Sequence, residues 1–318
     1  MTARIVYLSW PATEITGGIK LAFWHVETLR AAGIEAVMTT PGAEPPRWFE
    51  TTAPVIDVSQ VTQGEDVLVF PENHYALLKE FLSWPNRKLV FCQNQFMVVR
   101  GLGGLGGWRD YREAGISGIL CEGRYVANFC QMRFPSLPIA MVPVAVDLTL
   151  FRPRPEKKLQ IAFAPHKRPK EAAFIWDLFC ANHPQFASIP WVEICGARES
   201  QVAEILGDSA VCLALCRFES FSMTILEALA CGCTTVGFTG FGARQFTTVR
   251  NGFWAEEDDC MQCADLLGQA VRMVTTGGPR YTDLLSAAHD TASCYGREQL
   301  ARSVVDFWKK YLAGKGFC

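Results

Sequence analysis

Two carboxylates stand in an otherwise apolar, small-residue stretch: Glu219 and Glu227 in RFESFSMTILEALACG, residues 217–232. The run before it, AVCLALC (210–216), has the unbroken apolar character of a buried strand, so residues 217–221 read as the turn at that strand's carboxyl end. Ser222 is a good N-cap for a helix from about Met223 to Cys231, and Gly232 a good stop. Glu219 then lies in the loop, beside a helix start whose unpaired N–H groups and partial positive charge suit an anion. Glu227 falls in mid-helix among Ile225, Leu226, Ala228, Leu229 and Ala230, where a carboxylate is costly unless something polar meets it. Two ordinary roles also fit such a pair: Glu219 complementing the helix end, and Glu227 paired with a structural arginine.

The elements that position this stretch alternate regularly. Strand-like runs are RIVYLSW (4–10), EAVMTT (35–40), DVLVFPE (66–72), KLVFCQN (88–94), GILCEG (118–123) and IAMVPVAV (139–146). The proline-rich, basic RPRPEKK interrupts as a linker. After it come LQIAFAP (159–165), WVEICG (191–196), AVCLALC and TTVGF (234–238), with helical periodicity between them. Strands alternating with helices predict parallel sheets covered on both faces, and two such series predict two doubly wound α/β domains. The expected boundaries are 1–152 and 153–295. An amphipathic terminal segment, LARSVVDFWKKYL, carries Leu300, Val304, Val305, Trp308 and Leu312 on one side and must dock on an apolar surface.

Composition narrows the classes. The 318 residues are 49% hydrophobic with a formal net charge of −2, so a large core forms and nothing global attracts nucleic acid or an anionic membrane. No apolar run reaches the ~20 residues that span a bilayer, and the start lacks a secretory leader, so the expected location is the cytoplasm. The thirteen cysteines lie mostly in apolar runs; the close pairs Cys231/Cys233 and Cys260/Cys263 lack a second pair at metal-ligand spacing. They are read as free structural thiols, with no metal site.

RFESFSMTILEALACGCTTVGF resembles the signature of retaining glycosyltransferases of the GT-B fold, especially glycosyltransferase family 4: Phe218, Glu219, Phe221, Glu227, Ala228, Ala230, Cys231 and Gly232 match its pattern. VPVAVDLTLFRP (142–153) is similar to the family's interdomain segment, ITGGIKLAFWHVETLRAAGIEAVM to its first glycine loop and helix, and RNGFWAEEDD to a later Asn-Gly element. The resemblance implies two Rossmann-like domains facing across a cleft. The first would bind the acceptor and the second a nucleoside diphosphate sugar, with residues 296–318 crossing back to the first. It implies that Glu219 contacts the donor sugar's hydroxyls, that Glu227 holds the ribose, and that backbone amides at Phe221, Ser222 and Met223 face the diphosphate. The family's Arg and Lys fall in APHKRPKE: Lys170 fits the Lys, and one of His166, Lys167 and Arg168 serves for the Arg. Cations are needed there because the departing diphosphate gains charge and no metal-binding Asp-x-Asp appears. On the acceptor side, Gly17 and Gly18 form a sugar- or phosphate-approaching turn, Gln93 and Asn94 offer amides, and His74 follows a strand end, whereas His25 reads as a helix residue of the core or surface.

Departures from the family pattern are Ser222 for Gly, Val144-Ala145 for Asn-Gly, and no histidine in FCQNQFM. RGLGGLGGW (100–108) contains a formal dinucleotide fingerprint, but the following WRDYREAG is too short for the helix it requires, so it reads as an acceptor-facing loop. The expectation is a metal- and cofactor-independent retaining hexosyltransferase acting on a saccharide, lipid-linked or other acceptor, touching a membrane at most peripherally. A sugar-nucleotide epimerase of similar architecture and a non-catalytic nucleotide-sugar binding protein are the alternatives.

Overall fold

The computed structural model describes residues 3–104, 110–315 and 317. The chain divides into two compact units, residues 1–145 with 298–318, and residues 146–297. The boundary falls before the RPRPEKK segment that the sequence suggests as linker. Val146 N donates to Tyr295 O (2.8 Å) and bridges Gly296, which ties the chain ahead of that segment into the second unit. Lys157 is tied there as well, donating to the carbonyls of Leu206, Gly207 and Ser209.

Unit 1 contains β1 (Ile5–Leu8), β2 (Ala36–Thr39), β3 (Val55–Ile56), β4 (Val67–Pro71), β5 (Lys88–Cys92), β6 (Ile116–Cys121) and β7 (Ile139–Met141). They form one parallel sheet in the order β3-β2-β1-β4-β5-β6-β7. Its helices are α1 (Gly17–Ala31), α2 (Tyr75–Glu80), α3 (Gln95–Gly104) and α4 (Arg124–Arg133). The chain turns from one side of β1 to the other when it passes to β4, so the topological switch point lies at the carboxyl ends of β1 and β4. The run 139–146 supplies only the short β7. RGLGGLGGW is not a loop at its start: Arg100–Gly104 finish α3, and Gly101 lies so close to Glu72 that a β-carbon there would stand 2.3 Å from the Glu72 carbonyl oxygen. Residues 105–109 lie outside the described residues.

Unit 2 contains β8 (Lys158–Phe163), β9 (Trp191–Glu193), β10 (Ser209–Leu215), β11 (Thr234–Phe238) and β12 (Phe253–Trp254), parallel in the order β12-β11-β10-β8-β9. Its switch point lies between β8 and β10. The helices are α5 (Pro169–Asn182), α6 (Glu199–Asp208), α7 (Met223–Ala230), α8 (Cys260–Thr276) and α9 (Pro279–Ser293). Ile161, Val211, Leu213, Val236, Phe238 and Leu267 centre its core.

The last helix, α10 (Arg297–Leu312), belongs to unit 1 from Glu298 onward. Its stripe is buried at Leu300, Val304, Phe307, Trp308 and Tyr311, while Val305 and Leu312 of the expected stripe are only partly covered. The Trp308 indole donates to the Tyr7 hydroxyl (3.1 Å), which in turn is hydrogen-bonded to His25 Nδ1 (3.0 Å). His25 is therefore a core residue; burial pulls its pKa down to about 3, so it stays neutral. No helix among the described residues is long and apolar enough to cross a membrane.

Candidate active site

The strand β10 is buried at every position and delivers the chain to the loop that carries Glu219. Phe218 takes a left-handed backbone conformation (φ 50°) to turn it. The turn is packed from behind by Gly242: its N–H donates to Glu219 O (2.9 Å), and a β-carbon on it would overlap the Ser220 carbonyl at 2.0 Å. Ser222 then caps α7, its hydroxyl accepting from Ile225 N (3.4 Å) and lying 2.8 Å from the Cys216 sulfur. Met223 opens the helix half-buried, and the Phe221 ring is turned inward against Phe246 and Tyr295, so only the backbone of Phe221 is placed to meet a ligand. Glu227 is buried in mid-helix, as its neighbours require.

Across the switch point, β8 leads into a single 3-10 turn, residues 165–167. Lys167 on that turn forms an ion pair with one oxygen of Glu219; the other, Oε2, is buried without a hydrogen-bond partner. Burial lowers the Lys167 pKa, and partial desolvation together with the Lys167 charge lowers that of His166. Pro169 starts α5, so Lys170 stands exposed on that helix's first turn, while the preceding 3-10 turn carries Lys167 to the carboxylate.

Arg168, expected to face a leaving group, is instead buried in an ion cluster. Its Nε donates to Cys216 O (2.9 Å), its two terminal nitrogens bind Glu257 and Asp258, and its plane lies 4.5 Å from the centre of the Phe238 ring. Asp258 is held in the left-handed region (φ 66°) by this pairing. Glu171 accepts from Arg217 (2.9 Å) nearby. A guanidinium with these partners fixes the end of β10 rather than a ligand. Sequence reasoning passed over Gly242, Glu257 and Asp258; the signal was the acidic EEDD run facing a cation-rich strand end.

In unit 1, Gly17 and Gly18 are the first two residues of α1, not a separate turn, and Thr16 caps them. Gly18 lies against Gln93: Gln93 Nε2 donates to Gly18 O (2.8 Å), and a β-carbon at Gly18 would stand 2.7 Å from Gln93 Oε1, so the Gln93 amide would have to shift. Asn94 caps the start of α3 through its oxygen, which accepts from Phe96 N (3.0 Å). Two groups that sequence reasoning missed stand beside these. Glu72, buried directly after β4, accepts from Gln93 N (3.2 Å), and burial pushes its pKa up to about 7. Trp10, two residues past β1, stacks on His74 with ring centres 3.8 Å apart and planes 4° from parallel. Burial lowers the His74 pKa to about 4. Both lie next to strand ends, the position that marks ligand contacts in open α/β sheets.

Among the described residues no group of three or more His, Cys, Asp or Glu is arranged to hold a metal ion, and the described cysteines are free thiols.

Residues 180–273 match the family model of glycosyl transferases group 1. An α-1,6-glucosyltransferase of Actinobacillus pleuropneumoniae serotype 7 is 26% identical over 246 residues, covering 74% of this chain and 73% of the relative. Among solved structures, the sucrose-phosphate synthase of Thermosynechococcus elongatus superposes with a TM-score of 0.73 at 11% identity, covering 98% of this chain and 100% of its own. HepE of Anabaena, solved in complex with UDP, superposes with a TM-score of 0.69 at 11% identity, covering 96% and 100%. Two parallel doubly wound units and these likenesses give the chain the GT-B fold, and the stretch that matches the glycosyl transferases group 1 model lies within its second unit.

Proposed function

We propose that the protein is a retaining, metal-independent hexosyltransferase that takes its sugar from a nucleoside diphosphate hexose, with UDP-glucose the first donor to test. The observation that carries this reading is the Lys167–Glu219 pair at the β8/β10 switch point, set beside the amino end of α7 with Glu227 buried further along that helix. Lys167 and the first N–H groups of α7 take the diphosphate, whose charge grows as the bond from the anomeric carbon to the phosphate oxygen breaks. Glu219 orients the hexose through its hydroxyls, and Glu227 holds the ribose. The acceptor hydroxyl attacks from the face the diphosphate leaves and passes its proton to the departing phosphate oxygen, so the configuration is kept. Arg168 is assigned to shaping this site and not to the phosphate, because its nitrogens are engaged by Cys216, Glu257 and Asp258. Unit 1 takes the acceptor, with Gln93, Asn94 and His74 among its polar groups. The uridine and glucose assignments lean on neighbours solved with UDP or UDP-glucose and on the relative's name.

Thermal unfolding with UDP, GDP, ADP and their hexoses tests the donor. A ligand at a hundred times its dissociation constant adds about 2.7 kcal/mol of stability. UDP-glucose is expected to raise the midpoint more than the guanosine and adenosine counterparts; no rise with any nucleotide sugar removes the reading.

A further inference from the structure

Unit 1 has a switch point of its own, at the ends of β1 and β4, and the two residues that meet there are aromatic. Trp10 follows β1 and His74 follows β4. Their rings are stacked, 3.8 Å apart and within 4° of parallel. The indole is fixed at its edge as well, Nε1 donating to Asn73 Oδ1 (2.9 Å), yet it stays partly exposed. A tryptophan held on one face and at its edge is a rigid plate rather than a mobile surface ring. Burial keeps His74 neutral above about pH 4, so the stacked pair carries no charge to draw an anion. Polar groups continue from the plate: Asn73 adjoins Glu72, whose carboxylate accepts from Gln93 N, and the Gln93 amide reaches Gly18 at the start of α1. An uncharged aromatic plate beside a carboxyl and amides matches one class of ligand, a pyranose ring, with an apolar C–H face and a rim of hydroxyls.

We infer that Trp10, backed by His74, is the stacking platform of a saccharide acceptor subsite in unit 1. The inference rests on the glycosyl-transfer reading and narrows it, because it selects a sugar ring over a lipid or peptide hydroxyl as the group bound there. The ring lies on the open part of the indole, and its hydroxyls meet the Glu72–Gln93 side.

The full-length protein labelled with ¹⁵N at its indoles tests this. The Trp10 Nε1–H signal is assigned by its loss in Trp10→Phe, then followed during titration with methyl α-D-glucopyranoside, its β anomer and, as an acyclic polyol, sorbitol. Saturable movement with a methyl glucoside and none with sorbitol is expected. His74→Ala, which removes the backing ring, should weaken that binding by about two- to tenfold, with the other indole signals in place to report an intact fold. No movement with either glucoside, equal movement with sorbitol, or unchanged affinity in His74→Ala overturns the platform. UDP release from UDP-glucose by the wild-type protein is measured in parallel. Release without a Trp10 response sinks the platform alone, whereas failure to bind or cleave any nucleotide sugar sinks the reading beneath it.

Discussion

Lys167 and Glu219 are partners whose charges a nucleotide sugar would divide. The diphosphate recruits the lysine, and the sugar hydroxyls recompense the glutamate; a bare diphosphate recruits the lysine and leaves Glu219 with nothing. Glu219→Gln should therefore cut turnover by at least ~100-fold, about 2.7 kcal/mol of barrier. Binding of UDP should hold or tighten, because the lysine is released. Calorimetry with UDP and a product assay on the same variant read both; normal turnover, or UDP binding that falls with the rate, would count against the assignment. Glu227→Ala should weaken donor binding by about 1.5–3 kcal/mol for a lost charged hydrogen bond, and unchanged donor affinity would remove its ribose role. His25 gives a pH signature. Its folded pKa near 3 lies below the ordinary 6.5, so its contribution is intact above 6.5 and is lost as pH falls. By pH 5 that loss is about 2 kcal/mol. Glu72 acts with the opposite sign: its raised pKa makes its contribution complete below its ordinary 4.5 and lost as pH rises through about 7. The clean readout is thus a difference. In denaturant unfolding at pH 7.5 and pH 5, His25→Phe should shift the gap in stability between the two by about 2 kcal/mol in favour of pH 5, relative to the wild type. An unchanged gap would mean that His25 is not held neutral.

At the scale of elements, α10 shows what the sequence could and could not say. Its apolar stripe demanded a surface, and through Trp308 it found Tyr7 of β1, which is itself packed against His25 and Phe91. Trp308→Ala should cost about 3–5 kcal/mol, read as a lower denaturation midpoint; a loss under about 1 kcal/mol would mean that the helix is dispensable. The strand–helix alternation, the cap at Ser222 and the burial of Glu227 were legible because each follows from local pattern. The cation facing Glu219 was not. Four basic residues within His166–Lys170 differ by one or two positions, and only the 3-10 turn before Pro169 decides which of them reaches across to β10. Likewise Gly101 and Gly18 read as loop glycines, but each permits a helix to approach another backbone or side chain, a contact that needs the tertiary structure to be seen. The Trp10–His74 stack joins residues that follow two different strands and leaves no periodicity to read.

The whole molecule joins two sheets, each with its own switch point, and the chemistry sorts accordingly. Unit 2 gathers the charged groups, Lys167, Glu219 and the Arg168 cluster, where a diphosphate would need them. Unit 1 gathers uncharged amides, a stacked indole and a carboxyl with a raised pKa, a set suited to hydroxyls. Unit 1 also takes its last helix from the end of the chain, after all of unit 2. A near-neutral net charge fits small, uncharged acceptors better than polyanions. These features fit the transfer proposed above, that of a hexose with its configuration kept. The decisive measurement is proton NMR of the intact protein turning over UDP-glucose, recorded before free sugar can mutarotate. The account predicts UDP accumulating together with a product, glycoside or released glucose, whose anomeric proton shows the small coupling of the α form from the first spectrum. A β product in that first spectrum, or an intact donor at the end of the run, would contradict it.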